Sequence, residues 1–142
     1  MIVPDVNLLL YAVISAFPQH EPAHRWWEET VNTATEIGLT SPAIFGFIRI
    51  ATNPRVLSPP LTVDTATGYV SEWLGQPNVS HLIPGPRHIE IAFSLLHGVG
   101  TGRNLTTDVQ LAAFALEHDA EMLSNDTDFA RFPGLRWRNP LT

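Results

Sequence analysis

Four aspartates occupy positions where carboxylates can work together. Asp5 ends the opening apolar run Met1-Ile2-Val3-Pro4, and Asp108 falls in the first turn of an apolar-periodic segment. Asp126 and Asp128 follow Met122-Leu123, a second strand-like run. In open parallel α/β sheets, sites gather beyond the carboxyl ends of strands, where loops feed the next helices. Hard oxygen ligands converging there repel one another unless a cation neutralises them, and Mg²⁺ or Mn²⁺ suits such ligands and brings phosphate substrates. Each acid also has an ordinary reading. Asp5 can cap the helix that follows it, Asp108 can complement a helix N-terminus, and Asp126 with Asp128 can form an N-cap and first-turn pair. Asn7 can steady the Asp5 carboxylate or cap its own helix. Thr107 and Asn125, each just before a candidate ligand, can donate to those ligands or serve turns.

Composition narrows the chemistry. The chain has no cysteine, which excludes disulfides, thiolate catalysis and thiolate metal sites. All 8 basic residues are arginine, so there is no P-loop lysine, Schiff base or lysine general base. The formal charge of −6 is unlike the basic footprint of a passive nucleic-acid binder. It leaves open an enzyme that meets nucleic acid through carboxylate-held metal.

The positioning elements follow from pattern. Strand-like runs fall at Met1–Pro4, Ile37–Thr40, Val79–Ile83, Ala120–Leu123 and Leu135–Arg138. Helical spacing covers Leu8–Ala16, Pro22–Asn32, Thr62–Leu74, Pro86–Leu96 and Thr106–His118. Ser41-Pro42 reads as an N-cap and first helical proline opening a helix to Ala51. Strands separated by helices predict an α/β domain with a mainly parallel sheet. No repeat or long linker divides the chain, so one domain over 1–142 is expected. The apolar stretch Val6–Phe17 is too short to span a bilayer and no basic segment precedes it, so a cytoplasmic protein with no membrane association is expected.

These residues resemble the PIN-domain family, and within it the VapC-type toxins of bacterial type II toxin–antitoxin pairs. The likeness rests on Asp5-Val6-Asn7, on Thr107-Asp108-Val109-Gln110-Leu111-Ala112-Ala113, and on Ser124-Asn125-Asp126-Thr127-Asp128-Phe129. Gly46 to Arg55 and the ending from Phe132 to Leu141 fit the same branch. The resemblance implies a three-layer α/β/α sandwich and a Mg²⁺-dependent endoribonuclease, with Mn²⁺ able to substitute. It also implies a cognate antitoxin and a homodimer. By position, Asp5 and Asp108 would be principal metal ligands, with Asp126 and Asp128 completing the cluster directly or through water. Asp5, Asp108 and Asp126 would be the catalytic carboxylates, and Arg49, Arg55 and Arg103 would hold RNA phosphates. One position departs: where the family usually places a glutamate, this chain has Gly46. That opens an alternative, a degenerate PIN fold that binds RNA or a protein partner without cutting. Close packing of its helix against a neighbour is the other reason for a glycine there.

Three further motifs compete. His20-Glu21-Pro22-Ala23-His24 matches the zinc-peptidase pattern H-E-x-x-H, but Pro22 is most comfortable in the first helical position, which would leave His20 outside the helix. Asp126-Thr127-Asp128 is like the nucleophile loop of haloacid-dehalogenase-type phosphatases, which usually need a lysine. Gly98-Val99-Gly100-Thr101-Gly102 is like a dinucleotide loop, but it follows a helix and is better read as a connection. Trp26, Trp27 and Trp73 are expected in the core, part of that surface being available to a dimer or antitoxin groove.

Overall fold

A computed structural model describes residues 1–100, 102 and 105–142. Its five strands are β1 (Ile2–Pro4), β2 (Ile37–Leu39), β3 (Val79–His81), β4 (Glu121–Leu123) and β5 (Trp137–Arg138). They form one sheet in the order β3-β2-β1-β4-β5, and every neighbouring pair is parallel. The helices are α1 (Val6–Val13), α2 (His20–Val31), α3 (Ser41–Ala51), α4 (Val63–Leu74), α5 (His88–Val99) and α6 (Leu105–Glu117). A 3₁₀ turn, Thr127–Arg131, joins β4 to β5. No helix among the described residues is long and apolar enough to cross a membrane.

The strand order explains the layers. The chain steps outward from β1 to β2 to β3, then returns across the sheet to β4 on the other side of β1. Right-handed crossovers place α1–α4 on one face and α5–α6 on the other, giving the expected α/β/α sandwich. The reversal falls between β1 and β4, where the loops beyond their carboxyl ends part and leave a crevice. Val3, Ile37, Leu39, Met122 and Leu123 are fully buried in the sheet, as befits parallel strands covered on both faces. Leu8, Leu9 and Phe47 close one face; Val109 and Leu111 close the other.

Several boundaries move for local reasons. Asp5 caps α1, so that helix starts at Val6 and ends at Val13, short of Ala16. Thr40, and not Ser41, caps α3 by accepting from the Ala43 N–H at 3.2 Å, which puts Pro42 in the second helical position. Helix α5 continues through Gly98 to Val99, and Gly100 caps it at φ 74°, a left-handed conformation that glycine adopts without cost. Thr101, in the same glycine-rich stretch, lies outside the described residues. Trp27 and Trp73 are buried and meet edge to face, with centroids 5.4 Å apart, while Trp26 is half-buried.

Gly46 is buried in α3, and a Cβ there would meet Val6 Cγ2 at 2.8 Å. The glycine lets α3 approach the first turn of α1 directly behind Asp5. Gly46→Ala should therefore lower stability by about 1–3 kcal/mol through overpacking, despite a helix-propensity gain of about 0.5–1 kcal/mol. Urea unfolding should show a lower midpoint that Val6→Ala partly restores. Equal losses in the single and double variants would refute the contact.

Candidate active site

The site starts with the end of β1. The Asp5 N–H donates to Leu123 O at 2.9 Å, which holds the β1 and β4 termini side by side. Its carboxylate is 7% exposed and accepts two bonds: Oδ1 from the Val6 N–H at 2.7 Å and Oδ2 from the Ser124 hydroxyl at 2.6 Å. Ser124 Oγ in turn accepts from the Asp126 N–H at 2.9 Å and from Asn7 Nδ2 at 3.4 Å. One buried serine thus links the acid after β1 to the loop after β4. Asp126 turns that loop into the 3₁₀ segment by accepting from the Asp128 N–H at 2.9 Å.

Asp108 enters from the first turn of α6. One carboxylate oxygen from each of Asp108, Asp126 and Asp128 lies within 4.8 Å of the others. Asp5 stands outside that trio but close enough to act on it electrically. The Asp108 carboxyl is pushed up to about 7, foremost by burial and then by the charges of Asp5, Asp126 and Asp128. Burial also raises Asp5, against the lowering effect of its Ser124 and Val6 hydrogen bonds. Asn7 adds a buried Oδ1 that has no partner among the described residues. This all-oxygen set, self-repelling and with an orphaned carbonyl beside it, fits a hard divalent cation. Asp108, Asp126 and Asp128 are placed to hold it, and Asp5 retains free lone pairs on both oxygens.

The other expected positions divide. Asn7 reaches the site through Ser124. Thr107 is exposed, and its side chain makes no hydrogen bond among the described residues. Asn125 accepts from Asn139 Nδ2 at 3.0 Å, so it ties the loop to the chain end and does not steady a carboxylate. Arg49 lies in the last turn of α3 and Arg55 beyond it, and neither pairs with a carboxylate of the cluster among the described residues. Arg103 falls outside the described residues. The arginine at the cluster is Arg131, 3.5 Å from Asp128, one helical turn along the 3₁₀ segment. Ser124 figured in the sequence only as part of a motif and Arg131 not at all, and neither was given a role. Serine directly after a buried strand, matching the place of Asp5 after β1, was the available signal for the first.

The PIN domain family model matches residues 2–135, and the chain belongs to that family. Its relatives place it in the VapC branch. It is 62% identical over 141 residues to a Mycobacterium tuberculosis protein named Ribonuclease VapC33, with 99% of each chain covered. It is 39% identical over 140 residues to Ribonuclease VapC37 of the same organism, covering 99% of this chain and 97% of that one. Among solved structures, M. tuberculosis VapC20, described as a sarcin-ricin loop cleaving toxin, superposes with a TM-score of 0.71 at 14% identity, covering 96% and 99% of the two chains. VapBC-1 of nontypeable Haemophilus influenzae gives 0.70 at 16% identity, covering 100% of both. These distant structures bear out the fold.

The raised Asp108 carboxyl makes a signed prediction. A carboxyl whose folded pKa exceeds its unfolded value favours the folded state at low pH and loses that contribution as pH rises through the folded value. In chelator, Asp108→Asn should match the wild-type melting temperature near pH 4. It should then exceed it increasingly as pH rises from there to about 7, and level off above. A difference that is constant with pH would refute the repulsion.

Proposed function

We propose that the protein is the toxin of a toxin–antitoxin pair, working in the cytoplasm as a divalent-metal-dependent endoribonuclease. The observation that carries this reading is the Asp108–Asp126–Asp128 trio in the crevice between the β1 and β4 termini. The 62% identical relative named as a ribonuclease supports it.

When bound, Mg²⁺, or Mn²⁺ in its place, supplies Lewis acidity and a water acidic enough to attack a phosphodiester in line. The chain's own residues do the rest. Asp108, Asp126 and Asp128 would hold the cation. Asp5, fixed by Ser124 and with lone pairs to spare, would join them as a ligand directly or through water. Arg131 stands where it can leave Asp128 for a phosphate oxygen, and its planar fork suits that contact. No lysine or thiolate is required. Because Gly46 is accounted for by its contact with Val6, the glycine is a weak motive for a degenerate, non-catalytic fold.

Two partners complete the proposal. A chain of net charge −6 with an acidic crevice favours an antitoxin that covers the cluster with a basic segment. A homodimer is supported by Phe45 on α3 and by Ile89 and Phe93, one turn apart on α5, which are 67%, 60% and 57% exposed.

Purified protein should cut total RNA with Mg²⁺ and not with chelator. Asp108→Asn should abolish cutting while the fold persists. Ser124→Ala should reduce cutting and cost about 1–3 kcal/mol of stability, since it strips Asp5 and the Asp126 N–H of a buried partner. Expression alone should arrest growth, relieved by the cognate antitoxin. Intact RNA and unaffected growth would sink the toxin reading. For the dimer, sedimentation should show two chains for the wild type and one for Phe93→Arg; unchanged mass in the variant would reject this interface.

A further inference from the structure

The motif that the nuclease site leaves unused is His20-Glu21-Pro22-Ala23-His24. Helix α2 starts at His20 with Pro22 in its third position, so the proline does not leave His20 outside, and both histidines stand on one helical face. Their ring centroids are 5.4 Å apart and tilted by 32°. His20 Nδ1 lies 2.8 Å from Tyr11 O, and His24 Nδ1 lies 3.1 Å from Ala12 O. A carbonyl only accepts, so each Nδ1 carries the proton and each neutral ring keeps its lone pair on Nε2. That second bond to a carbonyl is the usual way a protein orients a histidine ligand and makes it more basic. The same bonds cap the last turn of α1, but capping uses Nδ1 alone.

Both histidines line a cavity of about 440 Å³ between α1, α2 and α4, together with Glu28 and Glu72. Glu28, one turn after His24, brings Oε1 to 3.9 Å from His24 Nε2. Ligand atoms 2.0–2.1 Å from a tetrahedral ion stand about 3.3 Å apart; the two histidines and an acid are wider apart than the carboxylate trio, so the exposed glutamate must turn toward both rings to complete the set. We propose that His20, His24 and an acid of the same cavity, Glu28 or Glu72, form a second metal site that takes a borderline-soft ion such as Zn²⁺ or Ni²⁺. Imidazole nitrogens select such ions, whereas the carboxylate trio suits Mg²⁺ or Mn²⁺. The two sites are thereby chemically separated on one small domain. The proposal does not rest on the nuclease reading.

The test is calorimetric titration of the full chain with Zn²⁺ or Ni²⁺ in excess Mg²⁺, which keeps the carboxylates occupied. One ion per chain should bind. His20→Asn and His24→Asn keep a donor near the Nδ1 position and remove Nε2; each should weaken binding about tenfold or more, and the pair should abolish it. Mg²⁺-dependent RNA cleavage should be unchanged in both variants. Nitrogen NMR of the wild type, which needs no substitution, should show the Nε2 signals of His20 and His24 moving on Zn²⁺ addition. Unmoved Nε2 signals, undiminished binding in the folded double variant, or binding lost instead with Asp126→Asn would overturn the site.

Discussion

The hydroxyl of Ser124, donated to Asp5 and accepting from the Asp126 backbone, is the interaction on which the site depends. It spans 119 residues of sequence and operates where β1 and β4 lie in register, Pro4 opposite Leu123. Without that register, Asp5 would be an ordinary helix cap and Asp126 an ordinary turn residue. With it, both retain those roles while their remaining oxygens are held in one crevice. Capping and a shared site are therefore compatible for these acids. Capping is the means by which the carboxylates are oriented.

Holding like charges together has a cost that the fold meets in two ways. Burial and mutual repulsion raise Asp5 and Asp108, so part of the charge is removed by protons at low pH. Hydrogen bonds from the Val6 N–H, the Ser124 hydroxyl and the Asp128 N–H absorb part of the rest. A bound cation would remove what remains and so couple occupancy of the site to stability of the domain.

Chain order also separates two kinds of ligand. The hard oxygen cluster occupies the carboxyl edge at the strand reversal, while the imidazoles of α2 face the groove between α1, α2 and α4. Each set is fixed by bonds to backbone: carboxylates by N–H groups at helix starts, imidazoles by carbonyls at a helix end. The polarity of helix termini thus assigns anionic side chains to one and N–H donors to the other.

Much of the architecture was legible before any coordinates. Strands such as Ile37–Leu39 are apolar runs bounded by breakers, and helices such as α4 carry their cap, Thr62, in the local sequence, because periodicity and capping depend on neighbours only a few residues away. The acids were legible too, since Asp5, Asp108, Asp126 and Asp128 sit at element junctions that local pattern reveals. Tertiary structure alone decided which of them form the trio, that Ser124 bridges Asp5 to the Asp126 loop, that Arg131 pairs with Asp128, and that Asn125 is taken up by Asn139. It also decided that Gly46 answers to Val6, 40 positions earlier in the chain. A helix cap is settled by a few adjacent residues, but a distance between two side chains is settled by strand order and register, which hydrophobic pattern specifies only collectively.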